Sequence, residues 1–180
     1  ITSLGSCRGI LIEPLPSKQW FVAVDKKIKR LGNKSLKERA LEVVQEDKIK
    51  FTPERFKKRY LDWMENLHDW CISRQLWYGH QLPVWYRSAN AHGKLEEVYV
   101  GIESPKEDGW EQEEDVLDTW FSSGMWTFST MGYPDLNAPD LKNYQPTQIL
   151  ETGYEIITLW VSRMIMMSLF ALIEIPFENV

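Results

Sequence analysis

The sequence predicts an α/β protein, in particular part of a Rossmann-like doubly wound parallel sheet with a small inserted excursion. The chain of 180 residues is 43% hydrophobic and 26% charged, which is typical of a packed core. The segment "TQILETG" (147–153) has the composition of a short strand that ends in a glycine. A long apolar helix follows at 156–173, and a strand, a glycine turn and a buried helix form the repeating unit of such sheets.

Two helices are predicted in the first half of the chain. Ser35 and Glu38 have the spacing of a capping box, which predicts a helix to about Asp47. Its inward residues are Leu36, Ala40, Val43 and Val44. Thr52 and Pro53 mark a second helix start, and that helix is predicted to run to about Trp70. One face of it carries Phe56, Tyr60, Trp63, Met64 and Leu67.

The remaining segments are predicted from short apolar runs and turn residues. Strands are expected at 10–12, 19–24, 81–87 and 96–102, and a further strand begins in "IPFENV" (175–180). Residues 86–112 are interpreted as a small excursion because Gly101, Pro105 and Gly109 mark loops there. A helix is predicted over 112–124, and the segment 127–146 is predicted to be mostly loop because it is rich in Pro, Asn and Gly.

Charge and cysteine content limit the functional classes. The net charge of −5 argues against general nucleic-acid binding but leaves room for a local basic groove. The basic clusters at 26–30 and 57–59 are interpreted as solvated faces, with a nucleic-acid track as the alternative. Cys7 and Cys71 have no metal-ligand spacing, so we predict no metal site and a reduced, cytoplasmic setting.

The apolar run 156–173 is long enough to raise the question of a membrane span. Arg163 lies near its middle, where an arginine would cost about 2.5–3.5 kcal/mol in a bilayer. We therefore predict a buried helix of a soluble fold and no membrane association.

Several polar and aromatic residues are candidates for a site. The turn from Thr152 to Glu155 is a candidate ligand edge, although most such turns bind nothing. Trp120 is either core or the wall of a pocket, in which the small residues at 122–124 would leave room beside it. Asp115 and Asp118 are either paired carboxylates of a site or the acidic start of a helix. His80 is either a site residue or a side chain that hydrogen-bonds locally. Arg74 forms either a structural ion pair or a contact with a ligand.

Long motifs then specify a family. The stretches "DWCISRQLWYGHQLPVW" (69–85), "EDVLDTWFSSGMWTFSTMGYP" (114–134) and "TGYEIITLWVSRMIMM" (152–167) closely resemble the valyl-tRNA synthetases, which are class I aminoacyl-tRNA synthetases. The segments at 12–22 and 49–67 also match, and the motifs follow in the family's order. The isoleucyl enzymes look similar around the tryptophan–phenylalanine motif, but they carry polar residues after the glycine turn.

The resemblance implies substrates and site residues. The family activates valine with ATP and Mg²⁺ and transfers it to tRNA(Val). Trp120, Ile156 and Trp160 fall on positions that bind the amino acid, and Gly153 and Glu155 on positions that bind the ATP ribose. The family's usual residue at the position of Glu155 is aspartate. No catalytic residue is assigned to the chain, and no zinc is expected because the cysteine pairs of zinc-carrying relatives are missing.

The resemblance also implies a domain organisation. Residues 1–30 would form the segment that returns from the editing insertion to the catalytic domain, and residues 31–85 would form a helical segment and a first catalytic-domain strand. Residues 86–112 would form the small insertion, and residues 113–180 would form the second half of the catalytic domain. HIGH-type and KMSKS-type motifs do not occur in the sequence, so the chain alone is expected to be inactive, and exposed sheet edges favour self-association. The alternative is a free-standing, non-catalytic module that binds tRNA or a synthetase.

Overall fold

The computed structural model describes residues 17–88 and 95–180. The predicted strand at 10–12 and Cys7 lie outside these residues. The strands are β1 (Phe21–Val22), β2 (Trp70–Cys71), β3 (Ser73–Arg74), β4 (Val84–Ser88), β5 (Leu95–Val100), β6 (Trp110–Gln112), β7 (Val116–Leu117), β8 (Thr147–Ile149) and β9 (Phe177–Asn179). The α-helices are α1 (Leu36–Gln45), α2 (Arg55–Glu65), α3 (Thr119–Gly124), α4 (Trp126–Ser129), α5 (Pro139–Tyr144) and α6 (Ser162–Ala171).

The described strands form four small sheets. β1 pairs with β2, β3 pairs with β7, and β4 lies between β5 and β6, all in antiparallel register. β8 and β9 are parallel, and Lys50 adds a parallel bridge to Asn179. The mixed α/β composition is therefore as predicted, while the parallel pairing in the described residues is confined to the neighbourhood of β8 and β9.

The capping box at the start of α1 is formed as predicted. The Ser35 hydroxyl accepts from the Glu38 backbone N–H at 3.1 Å, and the Glu38 carboxylate accepts from the Ser35 N–H at 2.7 Å. The predicted inward residues of α1 are all buried. Helix α2 ends at Glu65, so its predicted extension to Trp70 is wrong. The chain reverses there because the Leu67 N–H bonds the Met64 carbonyl, and Trp70 pairs with β1 instead.

The apolar segment after β8 is helical but irregular. It begins with a 3₁₀ turn over Tyr154–Ile156, continues as a π turn over Ile157–Val161 and becomes regular in α6. The π turn is defined by the bond from the Ser162 N–H to the Ile157 carbonyl, five residues earlier. The helix ends at Ala171, two residues before its predicted end.

The span Tyr154–Ala171 is long and apolar enough to cross a membrane by composition, with a mean hydropathy of 1.3. In the folded chain 56% of this span is buried, and α6 packs against α1 and α3. These contacts are typical of the core helix that the sequence predicts.

The prediction of one helix over 112–124 is wrong in its first half. Residues 113–118 are extended, because β7 pairs with β3 and the Leu117 and Asp118 N–H groups bond the carbonyls of His80 and Ile72. Asp115 and Asp118 therefore do not share a helical face. Only the part from Thr119 onward is helical, as α3.

The prediction that 127–146 is mostly loop is confirmed by a narrow margin: eleven of its twenty residues lie outside helices, while α4 reaches into the segment and α5 lies within it. α5 has a proline in its first turn, which is a favoured position. A small second hydrophobic cluster holds these helices, and its buried members are Phe128, Ala138, Leu141 and Ala171. The cost of ordering this polar segment is thus offset by burial that its composition does not reveal.

The main core lies between α1, α2 and α6. Its members from other segments include Ile49, Phe51 and Phe177, next to the parallel strands. The turn between β8 and the π turn lies at the edge of this core, and Trp120 and Trp160 pack on its margin. This arrangement places the predicted site residues at the boundary between core and solvent.

Candidate functional site

Helix α3 and the π turn lie side by side. The indole N–H of Trp160 donates to the Ser123 carbonyl oxygen at 2.9 Å, which ties the two elements together. Trp160 also contacts Trp126, with ring centroids 5.9 Å apart. Because Trp120 is on α3 and Trp160 is on the π turn, the structure brings the segments of these two predicted pocket residues into contact.

The side chains of the predicted pocket are not all in mutual contact. In the part of the chain that the structure describes, the ring partner of Trp160 is Trp126 and not Trp120. Ile156 ends the 3₁₀ turn, four residues before Trp160, and is partly buried. Sequence reasoning missed Trp126, although its position in the motif that contains Trp120 was a signal for its presence.

The small residues of α3 serve the packing of the helix. The hydroxyls of Ser122 and Ser123 donate to the Thr119 carbonyl within the same helix. A Cβ on Gly124 would lie 3.1 Å from the Arg163 Cβ and 3.3 Å from the Met167 Cγ. The glycine thus lets α3 approach α6 closely. Room beside Trp120 stays a prediction.

The turn that precedes the π turn presents a free carboxylate. Gly153, Tyr154 and Glu155 are all exposed, and a Cβ on Gly153 would lie 2.5 Å from Glu155 Oε1. The Glu155 side chain therefore folds back over the backbone of Gly153. Within the described residues this carboxylate has no hydrogen-bond or ion-pair partner, so its oxygens can accept from ligand hydroxyls.

A buried polar cluster lies between α3, α6 and β2. Asp118 is 5% exposed; its carboxylate accepts from the Trp70 indole at 3.0 Å and lies 3.3 Å from Arg74 Nη2. Arg163 is 7% exposed and stacks over the rings of Trp70 and Trp63, at 4.4 and 5.0 Å. Burial lowers the pKa of Arg163 to about 10, against the opposing effect of Asp118 and Tyr60.

The contacts of this cluster bear on two of the open alternatives. Arg74 pairs with Asp118 and donates to the carbonyls of Cys71 and Ser73, which favours its structural role. Asp115 accepts from the Gln75 amide at the surface, whereas Asp118 is engaged in the interior. The two carboxylates therefore serve different contacts, which argues against the paired-carboxylate interpretation.

His80 lies on the surface beside β7. Its carbonyl accepts from the Leu117 N–H at 2.7 Å, and its side chain is exposed. This contact is made by the backbone with a residue 37 positions away, and the His80 side chain forms no hydrogen bond within the described residues. Both interpretations of the side chain stay predictions. Elsewhere in the described ranges, no group of three His, Cys, Asp or Glu side chains could hold a metal ion. The absence of a metal from the whole chain stays a prediction.

Glu113 forms a hydrogen-bonded cluster at the start of the extended acidic segment. Its Oε2 accepts from the Tyr86 hydroxyl at 2.6 Å and from the Trp20 indole at 3.3 Å. Burial alone would raise the pKa of Glu113, but bonds from Tyr86, the Asp115 backbone and Trp20 outweigh burial and lower the pKa below 4.5. Burial, and then the bond to Glu113, raises the pKa of Tyr86 to about 12.

We expect Glu113→Gln to reduce stability at neutral pH and to change it little in acid. A lowered carboxyl pKa stabilises the fold above pH 4.5, and this contribution is lost as the pH falls through the lowered folded value. Because the group is partly exposed and solvent screens its contacts, the loss at pH 7 should not exceed about 1 kcal/mol. Urea unfolding at pH 7 and pH 3 measures the difference. Glu111→Gln, at an exposed residue of β6, is the control, and an equal effect of both changes would contradict the prediction.

Comparisons with known proteins agree with these motifs. The sequence model of the family "tRNA synthetases class I (I, L, M and V)" matches residues 12–104 and 89–180. The chain is 53% identical over 173 residues to the valine–tRNA ligase of Streptococcus pneumoniae, and 50% identical over 174 residues to that of Bacillus subtilis. Each match covers 96% of this chain, which spans 18% of the length of these relatives. The chain therefore belongs to the class I tRNA synthetase family of the I, L, M and V enzymes.

Proposed function

We propose that the chain is part of a valine–tRNA ligase, which activates valine with ATP and transfers it to tRNA(Val). The support is identity of 50–53% to valine–tRNA ligases over 96% of the chain. In this proposal Mg²⁺ enters with the ATP phosphates, and the enzyme works in the cytoplasm. Because the chain spans 18% of its relatives' length, it supplies one part of the site.

Trp120, Ile156 and Trp160 form one wall of the valine pocket in this proposal. The observation that carries it is the hydrogen bond from the Trp160 indole to the Ser123 carbonyl, which joins the two segments that bear these residues. Broad aromatic faces and a branched side chain suit a small apolar ligand. Such a pocket cannot strongly reject threonine, a limit for which the valyl enzymes are the standard example.

Gly153 and Glu155 form the ribose contact in this proposal. The carboxylate of Glu155 is exposed and folds over Gly153, at the carboxyl end of β8. Ligands of open α/β sheets bind at this edge. Glutamate is one methylene longer than the family's usual aspartate, so its oxygens reach further from the turn.

The larger architecture follows from the same unit. β8, α6 and β9 form a strand–helix–strand unit with parallel pairing, and Lys50 extends this pairing by a third segment. We place this unit in a doubly wound sheet whose second half is 113–180. The preceding parts are the return segment 1–30, the helical segment 31–85 and the insertion 86–112. Uncovered edges of such a sheet would favour self-association of the isolated chain.

A chimera tests this function. The matching segment of the Bacillus subtilis valine–tRNA ligase is replaced by this chain, and valine-dependent ATP–pyrophosphate exchange is measured. We expect the chimera to be active and the chain alone to be inactive. In the chimera, Trp120→Ala should lower kcat/KM for valine at least about tenfold, because the pocket loses much of its apolar wall.

Trp110→Ala, in the excursion, is the matched control, and thermal unfolding of each variant reports on folding. An active chimera in which Trp120→Ala leaves kcat/KM for valine unchanged would remove Trp120 from the pocket. Valine-dependent ATP–pyrophosphate exchange by the chain alone would contradict the proposal that the chain supplies only one part of the site. An inactive but folded chimera, together with RNA binding by the chain, would favour the non-catalytic binding module.

A further inference from the structure

A groove on the outer face of α2 lies next to the turn that carries Glu155. It has a volume of about 590 Å³, and we call it the α2 groove. Its lining residues are Arg55, Lys58, Arg59, Asp62, Trp63, Asn66 and Thr158. Most of them come from one helix, so the groove follows the helix axis and is open to solvent.

The cations of the α2 groove are available to a ligand. Lys57, on the same helix, forms an ion pair with Asp47 and faces away from the groove lining. Arg55, Lys58 and Arg59 form no ion pair in the part of the chain that the structure describes. One carboxylate, that of Asp62, lines the groove beside these three cations. The groove is thus locally basic on a chain of net charge −5.

Aromatic rings extend the basic surface toward the turn. The rings of Phe56 and Tyr154 are stacked, with centroids 5.9 Å apart and planes inclined by 12°. The guanidinium of Arg55 lies 5.0 Å from the Phe56 ring, and that of Arg59 lies 5.6 Å from the Tyr154 ring. Tyr154 is 58% exposed, so part of its ring remains open to a planar ligand. Guanidinium groups held against rings keep their outward N–H groups free for anions.

We propose that the α2 groove binds single-stranded RNA, with Arg55, Lys58 and Arg59 on successive phosphates and an unpaired base on Tyr154. Arg55 lies three residues before Lys58 and four before Arg59, and helical neighbours at these spacings are separated by about 5–6 Å. Lys58 and Arg59 are adjacent and do not face each other on a helix, so the three cations are spread over the groove lining, which suits a chain of phosphates. Aromatic platforms beside a basic groove are the common means of binding single strands. The choice of RNA over DNA rests on the proposed function.

Fluorescence anisotropy with the 180-residue chain and a labelled oligouridylate of six nucleotides tests the proposal. Three phosphate contacts predict a slope of log K against log salt of about −2. Lys58→Gln with Arg59→Gln should weaken binding at least tenfold and make the slope less steep by about 1.4, because two contacts are lost. Tyr154→Ala should weaken binding about tenfold, whereas Tyr154→Phe, which keeps the ring, should bind as the unchanged chain does.

The control pair is Lys26→Gln with Lys29→Gln, which removes the same charge from another exposed basic cluster. An equal loss from this pair would attribute binding to overall charge and overturn the proposal. The proposal would also be overturned if Tyr154→Ala bound the oligouridylate as tightly as the unchanged chain does, or if duplex RNA bound as tightly as the single strand. A third contradicting outcome is that ATP displaces the labelled probe at the same concentration as the unlabelled hexamer does. Valine-dependent exchange by the chimera tests the proposed function separately. The RNA-binding proposal and the proposed function can therefore fail independently.

Discussion

Asp118→Ala is expected to lower the free energy of unfolding by about 3–5 kcal/mol, because it removes the only carboxylate within the buried cluster of described residues around Trp70. The Asp118 side chain accepts from the Trp70 indole and balances the charges of Arg74 and Arg163. Without it, the Trp70 N–H loses its acceptor, and the guanidinium of Arg163 stays buried without a counter-charge.

Urea denaturation followed by tryptophan fluorescence measures this loss. Asp118→Asn keeps an acceptor for the Trp70 N–H but removes the charge, so its free energy of unfolding should lie between those of the wild type and Asp118→Ala. Asp108→Ala, at an exposed acid of the excursion, is the control and should change stability by less than about 0.5 kcal/mol. A loss below about 1 kcal/mol for Asp118→Ala would show that Arg163 is stabilised chiefly by the rings on which it stacks.

The role of Asp118 also shows where sequence reasoning ended. The helix α1 was predictable because its cap and its buried residues are set by spacings of three and four along the chain. The acidic segment before α3 has helix-like composition, but Leu117 and Asp118 donate to carbonyls 37 and 46 residues earlier. Pairing over such distances overrides local preference and leaves no local pattern. The burial of Asp118 follows from that pairing.

The irregular start of the long helix could not be predicted from the sequence for a different reason. A π turn differs from an α-helix by one residue in its hydrogen bond, and the apolar sequence of 157–161 suits both. The residues alone made Trp120 either core or a pocket wall, and the resemblance added Ile156 and Trp160 and assigned all three to the amino-acid site. The structure adds the link from Trp160 to Ser123 and the ring contact with Trp126, neither of which follows from spacing.

Tyr60→Ala is expected to destabilise the fold by about 3–5 kcal/mol, the range for loss of a large ring from a core. Tyr60 is fully buried, and its ring lies 5.4 Å from that of Phe51. Its hydroxyl donates to the Ala40 carbonyl at 3.1 Å, which links α2 to α1. Removing the ring would leave a cavity between the two helices and remove this link.

The hydroxyl and the ring of Tyr60 can be separated by substitution and by pH. Tyr60→Phe keeps the ring and should cost about 0.5–1.5 kcal/mol for the lost hydrogen bond. Burial raises the pKa of Tyr60 far above 10, although Arg163 opposes the rise. Its contribution is therefore present below pH 10 and lost as the pH rises further, since the unfolded chain then releases a proton that the fold retains. Tyr60→Phe should weaken this alkaline loss, whereas Tyr144→Ala, at an exposed residue of α5, should preserve it. If Tyr60→Ala and Tyr60→Phe were equally stable, the core would have repacked to fill the cavity, and the packing of α1 against α2 would not depend on the Tyr60 ring.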